Sequence, residues 1–288
     1  MKPGPFNYCR PASVQEAIAL LAGCGGEAKV LAGGQSLVPM LNLRMAPAEC
    51  LVDITGISSL KIYSADSNEV LLGACITHEQ IQVAEAPDPS NGLMPWIASR
   101  IAYQAIRNRG TIGGSLALAD PAADWLTTTA ALGAVIEWEG PDGSERCPSD
   151  EFVLSAYTTR LGPSDLLTAI RIPRLHPDAR WGTFKLCRKT GEFAHAIATV
   201  IRQPNAARAF LGATDGAPIR LRHAEQVLGG LRTWEPSLDK TLSDAMSADL
   251  ASSGRRLTDV HVWQFRTCLS RAVQMSFGIE EIRVGRLG

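Results

Sequence analysis

Leu31-Ala32-Gly33-Gly34-Gln35-Ser36-Leu37 and Gly110-Thr111-Ile112-Gly113-Gly114-Ser115 are the two stretches on which the reading of this chain turns. The first continues an apolar run, Lys29–Ala32, that reads as a short strand. Paired glycines permit positive φ and the close approach of another backbone or a ligand. Successive N–H groups in such a turn form a concave anion-binding nest, and Ser or Thr hydroxyls add neutral donors. Either segment alone reads as an ordinary tight turn. Two of them together could hold a pyrophosphate from both sides without any lysine. Neither carries the Gly-Lys-Ser/Thr of a P-loop, and no G-x-G-x-x-G follows a strand, so a Rossmann site is not expected either.

Working outward, Ser13-Val14-Gln15-Glu16 is a capping box opening a helix over 13–23, with Ala17, Leu20 and Leu21 as its apolar stripe. With strands at Lys29–Ala32 and Leu51–Ile54, residues 1–55 read as a small α/β unit. Residues 56–175 form a second α/β unit. It opens with strands Leu60–Tyr63 and Val70–Ala74 in a hairpin around Asp66-Ser67-Asn68. A second capping box, Thr77-His78-Glu79-Gln80, follows, and then a helix from Pro95 to about Ile106. Asp120-Pro121 is expected as N-cap and first residue of a helix ending at Gly133, with strands at Ala134–Glu139 and Asp165–Ile172. After a linker at Pro173–Arg180, residues 176–288 read as a C-terminal unit. Strands Trp181–Arg188, Ala196–Arg202 and Ala206–Ala213 make a three-stranded sheet, backed by helices near His223–Leu228, Ser237–Leu250 and Asp259–Phe277. The fold class is α+β.

The 288 residues suffice for two or three packed units. Hydrophobic residues at 45% and charged residues at 20% are ordinary for a globular protein, and the formal net charge of −1 gives no pull towards nucleic acid. No apolar run of about 18 residues occurs and no apolar segment follows Met1-Lys2-Pro3-Gly4-Pro5, so neither a membrane span nor a signal peptide is expected. The location expected is cytoplasmic. The seven cysteines are scattered without a C-x-x-C, which argues against a zinc ribbon or an iron–sulfur cluster in this chain.

The two glycine segments, with Asp120-Pro121-Ala122-Ala123-Asp124 behind the second, resemble the two FAD-binding signatures of the flavin subunit of molybdenum hydroxylases, a family that includes the medium subunit of aerobic carbon monoxide dehydrogenase. The likeness extends over the whole chain: Phe6-Asn7-Tyr8, Leu51-Val52-Asp53, Ile106-Arg107-Asn108, Leu166–Pro173 and Lys185-Leu186-x-Arg188-Lys189 all fit. It implies a two-part FAD-binding domain like that of vanillyl-alcohol oxidase and a C-terminal domain of the carbon monoxide dehydrogenase flavoprotein type. It also implies roles. Val30, Leu31, Ala32, Gly33, Gly34, Gln35, Ser36 and Leu37 would wrap the FAD pyrophosphate, and Ile101 and Ala102 would lie near the flavin or its ribityl chain. Thr111, Gly114, Ser115 and Ala117 would form the second wall, and Asp124 would take a ribose or ribityl hydroxyl. Lys185 would stand near the flavin as a cation favouring its reduced anion. Phe193 stands where the carbon monoxide dehydrogenase member has a tyrosine over the ring. Many relatives carry Asn at the position of Ser115, and some carry His at the position of Gln35. Gln35 has no nucleophilic ring nitrogen, so the FAD would be held without a covalent link.

The resemblance further implies partners: a small subunit with two [2Fe–2S] clusters and a large molybdopterin subunit, assembled as a dimer of heterotrimers. This chain would take electrons from the clusters and pass them to an external acceptor. A self-sufficient flavoprotein reductase or oxidase of the same superfamily is a second reading, and it requires a substrate acid over the flavin. A nucleotide-binding scaffold without redox chemistry is a third. The five histidines are not clustered at ligand spacing, though His195 lies close to Phe193. Asp120 and Asp124, four apart at a helix start, would share a face. Lys185 has the alternative reading of a surface lysine.

Overall fold

Three parallel strands open the chain: β1 (Asn7–Cys9), β2 (Ala28–Leu31) and β3 (Cys50–Asp53), in the order β1-β3-β2. The computed structural model describes residues 2–279. Helix α1 (Val14–Gly23) covers this sheet, burying Val14, Ala17, Ile18 and Leu21 against Val52, Ile54 and Leu60, while Leu20 is only partly buried. Its cap differs slightly from the expected box. Ser13 accepts from the amide of Glu16 at 3.1 Å, but the Glu16 carboxylate accepts from the Ala12 amide, one residue early, at 2.7 Å. Helix α2 (Leu37–Asn42) follows the first glycine turn.

The second sheet is antiparallel. Its strands are β4 (Tyr63–Ala65), β5 (Glu69–Gly73), β6 (Val135–Gly140), β7 (Gly143–Pro148) and β10 (Leu166–Pro173), ordered β4-β5-β10-β6-β7. A separate hairpin, β8 (Val153–Ser155) with β9 (Thr158–Thr159), stands beside it. The expected turn at Asp66 is present, its Oδ1 accepting from the amides of Asn68 and Glu69. The strand before it starts later than expected, at Tyr63, because Ser58–Lys61 forms a 3₁₀ turn that buries Leu60. Strand β7 had no apolar alternation to betray it: five of its six residues are exposed.

Helices α3 (His78–Gln82), α4 (Leu93–Ser99), α5 (Gln104–Arg107), α6 (Ile112–Leu118), α7 (Asp124–Leu132) and α8 (Ser149–Phe152) belong to this part. The capping box at Thr77 and Gln80 is complete. The expected helix over 95–106 is two helices: α4 stops at Ser99, and Ala102 turns left-handed with φ +42° before α5 begins. Helix α7 starts at Asp124, not at Asp120-Pro121, because the Asp120 carboxylate closes a turn onto the Ala122 amide at 2.9 Å. It ends at Gly133 as expected, with φ +71°. Every residue of α7 is buried, since its second side packs on the C-terminal sheet.

That sheet contains the three expected strands, β11 (Arg180–Leu186), β12 (Ala196–Gln203) and β13 (Ala206–Gly212), plus a fourth, β14 (Ile219–Arg220). The fourth has two residues, too few for any periodic signal. The sheet therefore has four strands rather than three. Helix α9 (Arg222–Leu228) packs on β13, and α11 (Asp259–Ser276) lies across β11 and β12. Helix α10 (Leu238–Ser252) buries Leu242, Met246 and Leu250 in the same core. Among the described residues no helix is long and apolar enough to cross a membrane.

Candidate functional site

The first glycine segment is a turn between β2 and α2 whose two glycines do different jobs. Gly34 has φ +72°, a left-handed conformation that L side chains rarely adopt. Gly33 does not; it is glycine because a Cβ there would lie 2.1 Å from the carbonyl oxygen of Arg109. The two segments, far apart in sequence, meet at this point. The Gln35 amide donates to the Gly33 carbonyl at 2.9 Å and pins the turn from within. Among the described residues, the N–H groups of Gly33, Gly34, Gln35 and Ser36 have no hydrogen-bond acceptor. Consecutive free amides in a turn are a nest for an anion.

The second segment is not a matching loop. Thr111 is the N-cap of α6, its Oγ1 accepting from the Gly114 amide at 3.1 Å. The Gly113 amide donates to Ala74 at 3.0 Å, and a Cβ on Gly113 would come within 2.5 Å of that oxygen. Both glycine amides are thus taken by the protein. The expectation of two facing backbone nests fails here, because the Thr111 hydroxyl caps a helix and takes the Gly114 amide while Ala74 takes that of Gly113. The glycines instead let α6 approach its neighbours closely; a Cβ on Gly114 would lie 3.6 Å from Ala32 of the first segment. The donors left on this side are the Thr111 amide and the hydroxyls of Thr111 and Ser115, the latter half-buried. Ala117, one turn on, is half-buried too.

Asp124 and Lys185, each singled out separately, form a buried ion pair, Oδ2 to Nζ, at 2.8 Å. Their side chains are 9% and 14% exposed, so Lys185 is no surface lysine. Burial pushes the Asp124 carboxyl above the usual carboxylate range, and the Lys185 ammonium works against that push. Asp120 lies outside α7 and is half-buried, so the two acids do not share a helix face as spacing suggested. The pair ties the first turn of α7 to strand β11 of the C-terminal sheet.

Ile101 and Ala102 occupy the turn between α4 and α5. The loop after β11 lies against them: Gly191, with φ +92°, approaches so closely that a Cβ would be 2.9 Å from the Ala102 carbonyl oxygen. Phe193 and His195 project from this loop, both exposed, Phe193 to 66%. His78 and Arg107 are residues to which sequence reasoning gave no part in the site. His78 is buried behind the second segment, its Nδ1 accepting from Trp125 Nε1 at 3.1 Å. Burial, with the Arg107 charge nearby, lowers its pKa to about 4, so the imidazole is neutral near pH 7. Its place next to the capping box Thr77–Gln80 was the available signal. Among the cysteines, Cys9 and Cys50 meet across β1 and β3 with sulfurs 3.6 Å apart; all seven are free.

A turn of free amides packed against a helix that carries neutral hydroxyls, in a chain that also buries a carboxylate, offers the groups that suit an anionic, hydroxyl-bearing nucleotide, and it uses neither a P-loop lysine nor a Rossmann glycine pattern. These groups fit the diphosphate and polyol of FAD. Residues 4–175 match the family model described as "FAD binding domain in molybdopterin dehydrogenase", and the chain belongs to that family. The chain is 35% identical over 281 residues to the carbon monoxide dehydrogenase medium chain of Afipia carboxidovorans, covering 95% of this chain and 97% of that one. It is 32% identical to the caffeine dehydrogenase subunit beta of a Pseudomonas species, over 94% of this chain and 91% of the relative. Among solved structures, carbon monoxide dehydrogenase from Hydrogenophaga pseudoflava superposes with a TM-score of 0.88 at 31% identity, over 97% of this chain and 99% of that one. Quinoline 2-oxidoreductase from Pseudomonas putida 86 does so with 0.84 at 30%, over 97% and 99%.

Proposed function

We propose that this chain is the electron-transferring flavin subunit of a molybdenum hydroxylase, taking electrons from the [2Fe–2S] clusters of a small partner and passing them to an external acceptor. The substrate would be oxidised on a large molybdopterin subunit, and the complex would be a dimer of heterotrimers. Bound FAD supplies the chemistry, since it accepts electrons singly and can release them as a pair. The observation that carries the reading is the row of unsatisfied amides from Gly33 to Ser36, in a turn packed against the helix that carries Thr111 and Ser115, in a chain of this family.

In this reading the amides of Gly33, Gly34, Gln35 and Ser36 bind the pyrophosphate, flanked by Val30, Leu31, Ala32 and Leu37. Thr111 and Ser115 donate hydroxyls from the opposite side, on a helix brought close by Gly114 and Ala117. Asp124 takes a ribose or ribityl hydroxyl with the oxygen not used by Lys185, and Lys185 works against the burial that favours protonation of that carboxyl. Ile101, Ala102 and Phe193 border the flavin end. Gln35 spends its side-chain amide on Gly33 and offers no nucleophilic nitrogen, so the FAD is dissociable. The units run over 1–55 and 56–175 for the binding domain and 176–288 for the C-terminal domain, of which 280–288 lie outside the described residues.

Relatives' names support the partner assignment: one is a medium chain and another a subunit beta. Co-expression with neighbouring genes for an iron–sulfur protein and a larger molybdopterin protein tests it. The three chains should co-elute, and substrate should bleach the flavin absorbance only when all three are present. Bleaching by the same substrate with this chain alone would favour a self-sufficient flavoprotein.

A further inference from the structure

Arg107 sits between the second glycine segment and the turn that carries Ile101 and Ala102. Its guanidinium is spent almost wholly on neutral acceptors. Nη1 donates to the carbonyls of Ile101 and Ala102 at 3.0 and 3.1 Å, Nε to Gln82 Oε1 at 2.6 Å, and Nη2 to Gln104 Oε1 at 2.7 Å. Gln104 is held in turn by Asn108 at 2.8 Å and by Glu79. Among the described residues no carboxylate comes within ion-pair distance of Arg107. A half-buried guanidinium aimed at two successive backbone carbonyls fixes the direction of that backbone, because its donors form a rigid fork.

The backbone it grips is strained. Ala102 has φ +42°, a left-handed conformation that is strained for a non-glycine residue and persists only when its surroundings enforce it. From the other side Gly191, itself left-handed, presses on the Ala102 carbonyl, and the same loop carries Phe193. The strained turn is therefore clamped between Arg107 of the FAD-binding part and the loop that follows β11. Lys185, on that strand, is joined to Asp124 by the buried pair.

We infer that Arg107 is a positioning residue for the flavin end of the site: by holding Ile101 and Ala102 in their strained turn it sets the surface against which the 187–195 loop closes. The inference rests on the flavin reading given above and adds to it a residue outside those named there. Arg107 acts through the turn.

The test compares wild type, Arg107→Met, Arg107→Lys, Ala102→Gly and the double variant Arg107→Met/Ala102→Gly as full chains stripped of flavin and titrated with FAD. Affinity and the visible circular dichroism of bound FAD are read together, with far-UV circular dichroism confirming the fold. Arg107→Met should weaken FAD about tenfold, equivalent to ~1.4 kcal/mol, and alter the visible dichroism. Arg107→Lys, which keeps the charge but not the fork, should fall between wild type and Met. Adding Ala102→Gly should recover most of the loss, because glycine adopts the turn without enforcement. If Arg107→Met does not fold, Arg107→Lys with and without Ala102→Gly carries the same comparison. Unchanged affinity and dichroism in folded Arg107 variants would overturn the inference, as would failure of Ala102→Gly to restore either. Wild type that takes up no FAD would instead overturn the flavin reading itself.

Discussion

Replacing Lys185 by Met breaks the Asp124 pair and leaves a carboxylate in a site that is 9% exposed. At 2.8 Å and an effective dielectric of ~20 the pair's gross attraction is about 6 kcal/mol. Desolvation of both partners offsets much of it, and removing one partner of a buried pair costs about 3–5 kcal/mol. That is a large share of a typical folding stability of ~5–15 kcal/mol. The loss should depend on pH. Without the ammonium, burial acts unopposed on Asp124, so its folded pKa rises further above the unfolded value. The folded state then binds more protons than the unfolded state, and stability falls as pH rises from the ordinary carboxylate range towards the folded pKa. The variant should be nearest to wild type in acid and furthest from it above neutrality. Asp124→Asn/Lys185→Met, with no charge to strand, should be more stable than Lys185→Met and nearly flat in pH over that window. Urea denaturation of wild type, Asp124→Asn, Lys185→Met and the double variant, followed by far-UV circular dichroism at about pH 5 and about pH 7.5, completes the cycle. A coupling below ~0.5 kcal/mol at the higher pH, or a Lys185→Met loss independent of pH, would refute the assignment of a buried, mutually dependent pair.

The same variants separate charge from structure at the flavin. Lys185→Met should lower the flavin midpoint potential by roughly 20–65 mV, on the order of 1–3 kcal/mol, while the neutral double variant should lie near wild type in a spectroelectrochemical titration. Gly33→Ala should lower the melting temperature of the flavin-free chain, because the added Cβ meets the Arg109 carbonyl whether or not FAD is present. Gly34→Ala should be milder, at ~1 kcal/mol for a left-handed residue. Thr111→Val should cost about 0.5–2 kcal/mol through loss of the α6 cap, and weaken FAD besides. His78 has its folded pKa lowered to about 4, below the ordinary 6.5. It therefore contributes stability that is present above about 6.5 and lost as pH falls towards 4, up to ~3 kcal/mol, and His78→Gln should flatten the denaturation profile in that window.

Much of this was legible in the sequence where apolar periodicity and caps spoke together. The Thr77–Gln80 box, the hairpin at Asp66 and the helix over Asp259–Ser276 needed no tertiary information. What failed was local chemistry with a competing partner. Asp120-Pro121 looks like a helix start, but the Asp120 carboxylate closes its own turn first. The helix over 95–106 has no breaking residue; it nonetheless stops at Ser99, and Ala102 turns left-handed where Arg107 donates to its carbonyl. Strand β7 is polar and exposed, so alternation could not mark it. In the site, the sequence singled out both members of the Asp124–Lys185 pair but could not join them, because their contact depends on how α7 meets the C-terminal sheet. The two glycine pairs looked alike and are not. One leaves its amides free, and the other spends them on a cap and on Ala74.

The central claim is that the free amides of Gly33–Ser36 hold a dissociable FAD, and flavin stoichiometry before and after acid treatment tests it most directly. The purified chain, reconstituted with FAD and freed of excess, should carry stoichiometric flavin, all of it released to the supernatant on acid precipitation. Flavin that stays with the pellet would contradict the non-covalent assignment, and a chain that takes up none would contradict the account as a whole.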